Sequence, residues 1–188
     1  MPFRKVIVSS GHLTDQPDRA QPRFPESKVN LAQDRVAARL DNWRIGSGDL
    51  AIFVGARGSD ILFADLCADR GTEVWLFISL QEKAFIEQSV RLPGTDWERR
   101  WFDLRKRPGV KTFWLHQQAF PMDQSPFATA NTWMINTWKT EAPDPDHRYA
   151  VVVWDERDTG DGSGGTAHFV GGLKKAGGHL AIINPTTL

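Results

Sequence analysis

Six short apolar runs punctuate this 188-residue chain, and nearly all of them are continuous rather than alternating. They are Lys5–Ser9, Leu50–Val54, Glu73–Ile78, Val110–Leu115, Tyr149–Trp154 and Leu180–Ile183. A strand with one wet face alternates apolar and polar residues, whereas a strand covered on both faces does not. Between the runs lie segments with helical spacing. Lys28–Trp43 places Val29, Ala32, Val36, Leu40 and Trp43 on one stripe, with Ser27 as the expected N-cap. Asp60–Arg70, Gln81–Val90, Trp97–Lys106, Phe127–Thr140 and Thr166–Ala176 follow the same logic, several of them closed by glycine or proline. Buried strands alternating with helices predict an α/β fold: a doubly wound parallel sheet of about six strands, helices on both faces, in one domain over residues 1–188.

Charge narrows the partners. Lys and Arg number 23, as do Asp and Glu, so no global basic field argues for nucleic acid or an anionic membrane. The basic runs Arg99-Arg100 and Arg105-Lys106-Arg107 read as a solvated helix face. One cysteine, Cys67, excludes an intramolecular disulfide and falls in an apolar pattern that suits a buried, inert thiol. No apolar run is long enough to span a bilayer, and Met1-Pro2-Phe3-Arg4-Lys5-Val6 enters a strand rather than a signal sequence. A cytoplasmic setting without membrane contact is therefore expected. No spacing of His, Cys, Asp or Glu suggests a metal site, so neither a metal nor a cofactor is expected. No Ser/His/Asp or Cys/His set assigns a catalytic residue.

In open parallel sheets, ligands bind beyond the carboxyl ends of the strands, near the point where strand order reverses. Three segments follow strands and carry the residue types for this. Ser10, Gly11 and His12 end the first strand, where hydroxyl, backbone and imidazole can meet a phosphate or ribose; the plain alternative is an ordinary turn. Gly55-Ala56-Arg57-Gly58-Ser59-Asp60 leaves backbone donors free and adds the Arg57 charge, although capping the next helix suffices to explain Ser59 and Asp60. The third is Asp155 followed by Gly162-Ser163-Gly164-Gly165-Thr166, an acidic strand end and a run of small residues opening a helix. Glycines let N–H groups approach an anion, and the helix start adds partial positive charge. A flexible surface loop is the competing account.

Two further expectations concern the rest of the chain. The long polar loop Gly11–Glu26 suits either a ligand-covering strap or surface wrapping. Eight tryptophans are many for this length. Trp97, Trp101, Phe102, Trp133, Met134 and Trp138 exceed what one stripe per helix would bury, which predicts a homo-oligomeric interface built partly from Phe127–Thr140. Trp154 stands near the sheet edge as a base-stacking residue or as core.

The ordered set Ser10-Gly11-His12, Arg23-Phe24-Pro25, Gly58-Ser59-Asp60-Ile61-Leu62-Phe63, Phe85-Ile86-Glu87-Gln88-Ser89-Val90, Asn131-Thr132-Trp133 and Gly162-Ser163-Gly164-Gly165-Thr166 resembles the SLOG superfamily. That superfamily of Rossmann-like domains includes the cytokinin-activating LOG phosphoribohydrolases and the DNA-processing protein DprA. More narrowly, the chain is similar to bacterial members fused to signalling modules or predicted in nucleotide-based conflict systems. The resemblance implies a pocket for a nucleotide or a cyclic or NAD-derived relative, often completed by a neighbouring subunit. Gly164, Gly165 and Thr166 match the phosphate loop, and Gly58, Ser59 and Asp60 match a second nucleotide-facing loop. The hydrolases carry acidic residues just after the glycine–threonine pair, whereas Ala167, His168 and Phe169 stand here. A sensor-type binding module is thus the leading expectation. The alternative is a nucleoside 5′-monophosphate phosphoribohydrolase or other nucleotide N-glycosidase, with Asp155 or Asp161 supplying the carboxylate such cleavage calls for.

Overall fold

Strand β1 (Val6–Gly11) pairs in parallel with β2 (Leu50–Phe53) on one side and β5 (Arg148–Val153) on the other. Strands β3 (Glu73–Ile78) and β4 (Val110–Trp114) extend the sheet beyond β2, and β6 (His179–Ile183) extends it beyond β5. The order is β4-β3-β2-β1-β5-β6, and every neighbouring pair is parallel. The computed structural model of the chain describes residues 3–119, 125–157 and 164–188. Val6–Val8 and Val151–Val153 are fully buried, as the unbroken apolar runs require of strands covered on both faces.

Crossovers between parallel strands are right-handed, so the direction of travel decides which face a helix covers. From β1 outward to β4 the chain lays α1 (Val29–Asn42), α2 (Ser59–Asp69), α3 (Glu82–Phe85) and α4 (Trp97–Arg105); α2 packs against both α1 and α4. Returning from β4 through β5 to β6, it lays α5 (Pro126–Glu141) and α6 (Thr166–Ala176), which pack on each other. The result is a doubly wound, Rossmann-like α/β sheet. Helix α3 runs directly into a π-helical turn, Ile86–Val90. At the start of α1 the expected Ser27 cap is not used. Pro25 instead leads a 3₁₀ turn, Glu26–Lys28, that feeds the helix without a side-chain cap bond.

The aromatic surplus is spent inside the chain. Trp97, Trp101, Met134 and Trp138 are essentially inaccessible, Trp133 is buried, and Phe102 packs against the same core. Trp133 stacks on Phe77 of β3 with centroids 4.0 Å apart, and the Trp138 indole N–H donates to the Val6 carbonyl at 2.9 Å. Helix α5 is therefore a cover for β1 to β3; of the large residues from which an interface was expected, the four tryptophans and Met134 are buried and Phe102 is half-buried. Among the described residues the exposed large apolar side chain is Leu31, on α1. Trp154 is buried too, as core rather than as a platform. Cys67 is fully buried, and burial pushes its thiol pKa upward. No helix among the described residues is long and apolar enough to cross a membrane.

Arg148 closes the edge opposite the strand carboxyl ends. Its guanidinium donates to the carbonyls of Ala142, Pro143 and Ala176, at the ends of α5 and α6. These are the acceptors that helix C-termini leave without partners, and the fork satisfies three of them with one charge. Arg148→Ala is expected to cost about 3 kcal/mol and to lower Tm by roughly 5–10 °C in a thermal melt. Arg148→Lys should recover less than half of that loss, because a single ammonium does not reproduce the fork.

Candidate functional site

Strand order reverses at β1. The chain leaves β1 for the face that carries α1 and leaves β5 for the face that carries α6, so the two connections diverge and a crevice opens between them. A cleft of about 460 Å³ lies there, within the size range of small-molecule sites. The connection after β1 contributes Ser10, Gly11, His12, Leu13, Arg19 and Arg23. From the β2 side come Val54, Ala56 and Asp60, and from the π-helical turn Gln88 and Ser89. Phe127, Ala130 and Asn131 of α5 and the Gly164–Thr166 turn complete it.

The Gly164–Thr166 turn is built to keep amides available. Gly164 has φ +95°, and a Cβ there would sit 2.5 Å from the Ala128 nitrogen, so glycine is required both for conformation and for closeness to α5. Asn131 donates from Nδ2 to the Gly164 carbonyl at 2.8 Å and fixes the turn. Helix α6 begins at Thr166 with no side-chain cap bond. Its first N–H groups and the positive end of its dipole are thus presented without an internal acceptor side chain. Gly162, Ser163 and Asp161 lie outside the described residues.

The β2 connection has a different character from the one expected. Asp60 Oδ2 accepts from the amides of Gly55 and Ala56, each at 3.2 Å, and Oδ1 accepts from the Ser59 hydroxyl at 3.3 Å. The anion these glycine-loop amides cradle is the protein's own carboxyl group. Gly58, at φ +83°, lets this loop lie against the β1 connection, where a Cβ would meet the Thr14 nitrogen at 2.8 Å and the His12 oxygen at 2.9 Å. Ser59 sits beneath Gly11, and neither Gly58 nor Ser59 lines the cleft. Burial pushes the Asp60 pKa up to about 7, against the downward pull of its three hydrogen bonds.

Arg57 is also placed elsewhere. It is buried outside the cleft, donating from Nε to the Thr14 carbonyl at 3.2 Å, while its amide donates to Ser89 at 2.8 Å. Burial lowers its pKa, against opposing contributions from Glu26 and Asp15. Its charge fastens the β1 connection rather than facing a ligand.

Asp155 is engaged as well. Arg23 reaches it with Nε at 2.9 Å and Nη2 at 3.0 Å, and His12 Nε2 stands 2.9 Å from Oδ1. Burial alone would raise the Asp155 carboxyl, but the Arg23 and His12 hydrogen bonds outweigh it and hold the pKa far below the usual carboxylate range. A carboxylate gripped this way is a structural counter-ion, and it does not line the cleft. The polar loop is folded by the same means: Asp15 accepts from the amides of Arg23 and Phe24 at 2.8 and 2.7 Å. That loop is a strap, and it carries His12, Arg19 and Arg23 to the rim.

Of the residues singled out in the sequence, the structure gathers Ser10, Gly11, His12, Asp60, Gly164, Gly165 and Thr166 around one cleft. Arg57, Gly58, Ser59 and Asp155 build the wall behind it. Arg19, Phe127 and Ala130 carried no local signal of their own, and Gln88 only that of the Phe85–Val90 motif. They reach the site because they follow β1, β3 and β4, whose carboxyl ends share one edge. Comparison with family models and with curated proteins found no match to this chain.

Two stability measurements test this geometry. Asp60 holds its proton to about pH 7 when folded but only to about pH 4 in an unfolded chain. Its contribution to stability is thus fully present below about pH 4 and is lost as pH rises through about 7. Asp60→Asn removes the titration while keeping an acceptor for the two amides. Its stability relative to the parent should climb across that window, by an amount on the order of 4 kcal/mol, and level off above it. Arg23→Ala leaves Asp155 buried with a lost partner, for an expected cost of about 3–5 kcal/mol and a Tm lower by roughly 10 °C.

Proposed function

We propose that the cleft binds a nucleotide or nucleotide-derived molecule, with its phosphate at the Gly164–Thr166 turn. The observation that carries this is the uncapped start of α6, held open by Gly164 and Asn131 beside the strand-order reversal. An anion there accepts from first-turn amides and meets the positive end of the helix dipole. Arg19 at the rim adds charge, and Ser10 and His12 stand within the same cleft for contact with sugar or phosphate hydroxyls. The resemblance to SLOG domains points to the same ligand class and to a sensing role.

Binding is preferred to cleavage because Asp155, a carboxylate considered for N-glycosidic hydrolysis, is consumed by Arg23 and His12. Isothermal titration against nucleoside monophosphates, cyclic nucleotides, ADP-ribose derivatives and inorganic phosphate tests the proposal. At least one nucleotide is expected to bind more tightly than phosphate. Asn131→Ala, which frees the turn, should weaken that binding by roughly tenfold while the fold persists. Absence of binding across the whole panel at millimolar concentration would falsify it.

A further inference from the structure

Asp60 stands apart from the other buried acids at this end of the sheet, Asp15 and Asp155, each of which has an arginine beside it. Asp60 lines the cleft while only 3% of the residue is exposed. Its Oδ2 is saturated by two amides, so its remaining acceptor capacity lies on Oδ1, which holds a single long bond from Ser59. Among the described residues no basic side chain pairs with it. His12 and Arg23 are turned to Asp155, Arg57 to Thr14, and Arg19 to the Gln21 carbonyl and Asp15. The neighbouring π-helical turn contributes the neutral Gln88 and Ser89, and α5 contributes the neutral Asn131. Buried carboxylates are ordinarily paired or donated to from every side. Asp60 instead has amides and one hydroxyl, with acceptor capacity left on Oδ1, and it borders the cleft.

Position supplies the rest. Asp60 belongs to the β2 side and the Gly164–Thr166 turn to the β5 side, with β1 between them. Both line the same cleft, so a mononucleotide whose phosphate sits at the turn can present its base to Asp60.

Building on the nucleotide proposal, we propose that Asp60 determines specificity in this cleft by accepting a hydrogen bond from an amino group on the ligand's base. Amino-bearing bases are then favoured over their oxo counterparts, which offer a carbonyl to an oxygen that also accepts. With Oδ2 accepting from two amides, protonation falls on Oδ1 and turns it into a donor, so the preference weakens as pH falls below about 7. The phosphate's own ionisation and the charges of His12, Arg19, Arg23 and Arg57 act on both kinds of nucleotide alike and cancel in the ratio.

The test is calorimetric titration of AMP against IMP and of CMP against UMP, with inorganic phosphate as reference, from pH 5.5 to 8.5. At pH 8 the amino member of at least one pair should bind roughly tenfold more tightly, and that ratio should fall several-fold by pH 6. Asp60→Asn, whose amide offers a donor to the cleft, should abolish or reverse the preference and its pH dependence without abolishing phosphate binding. Equal affinities within both pairs at pH 8, or a preference that survives in Asp60→Asn, overturns the role of Asp60 and leaves the nucleotide proposal standing. Failure of every nucleotide and of phosphate to bind removes both. Should Asp60→Asn not fold, the parent's pH-dependent ratios alone decide the matter.

Discussion

The reversal of strand order at β1 is the constraint on which the rest of the molecule depends. Parallel strands need crossovers, and right-handed crossovers assign each direction of travel to one face. A chain that first moves away from β1 through β4 and then returns on its other side has to send two neighbouring connections to opposite faces. The gap this leaves cannot be filled by either connection, and both of them are rich in polar residues. The cleft is thus a product of topology before it is a product of particular side chains.

Around that gap, buried charge is handled in two ways. Asp155 is placed where Arg23 and His12 converge, and the three together fasten the strap after β1 to the end of β5. Such a cluster brings desolvation penalties of its own, so its value is in holding the strap in one arrangement rather than in net stabilisation. Among the described residues Asp60 is given amides and a hydroxyl but no cation, and burial raises its pKa to about 7. One acid is held in its charged form by its partners while the other titrates near neutrality.

Much of this was legible in the amino-acid sequence. The inner runs are continuous because β1, β2 and β5 are covered twice, while the edge strands β4 and β6 stay half-buried, and the regularity sufficed to place strands, helices and the shared carboxyl edge. The turn at Gly164–Thr166 was legible because small residues before a helix have a direct backbone meaning. What could not be read was direction. Arg57 in a glycine loop looks like an anion ligand, yet the same spacing lets it bend back to Thr14, and only the path of the strap decides between them. Asp155 at a strand end looked available until Arg23, 132 residues away in the chain, was brought beside it. The tryptophans misled for a related reason: a helix crossing three strands buries more than one stripe, so Trp133 and Trp138 find partners on Phe77 and Val6 rather than on a second molecule.

The separation of these partners along the chain has a temporal consequence. His12 and Asp155 are 143 positions apart, and Asn131 waits on the Gly164 carbonyl that follows it in the chain. During synthesis the strap emerges long before the carboxylate that orders it, and no fragment lacking β5 contains the closed ring of contacts. Loops joined at such distance form late, after the sheet has zipped. A small molecule that recognises only the finished rim would draw the last folding step forward by mass action.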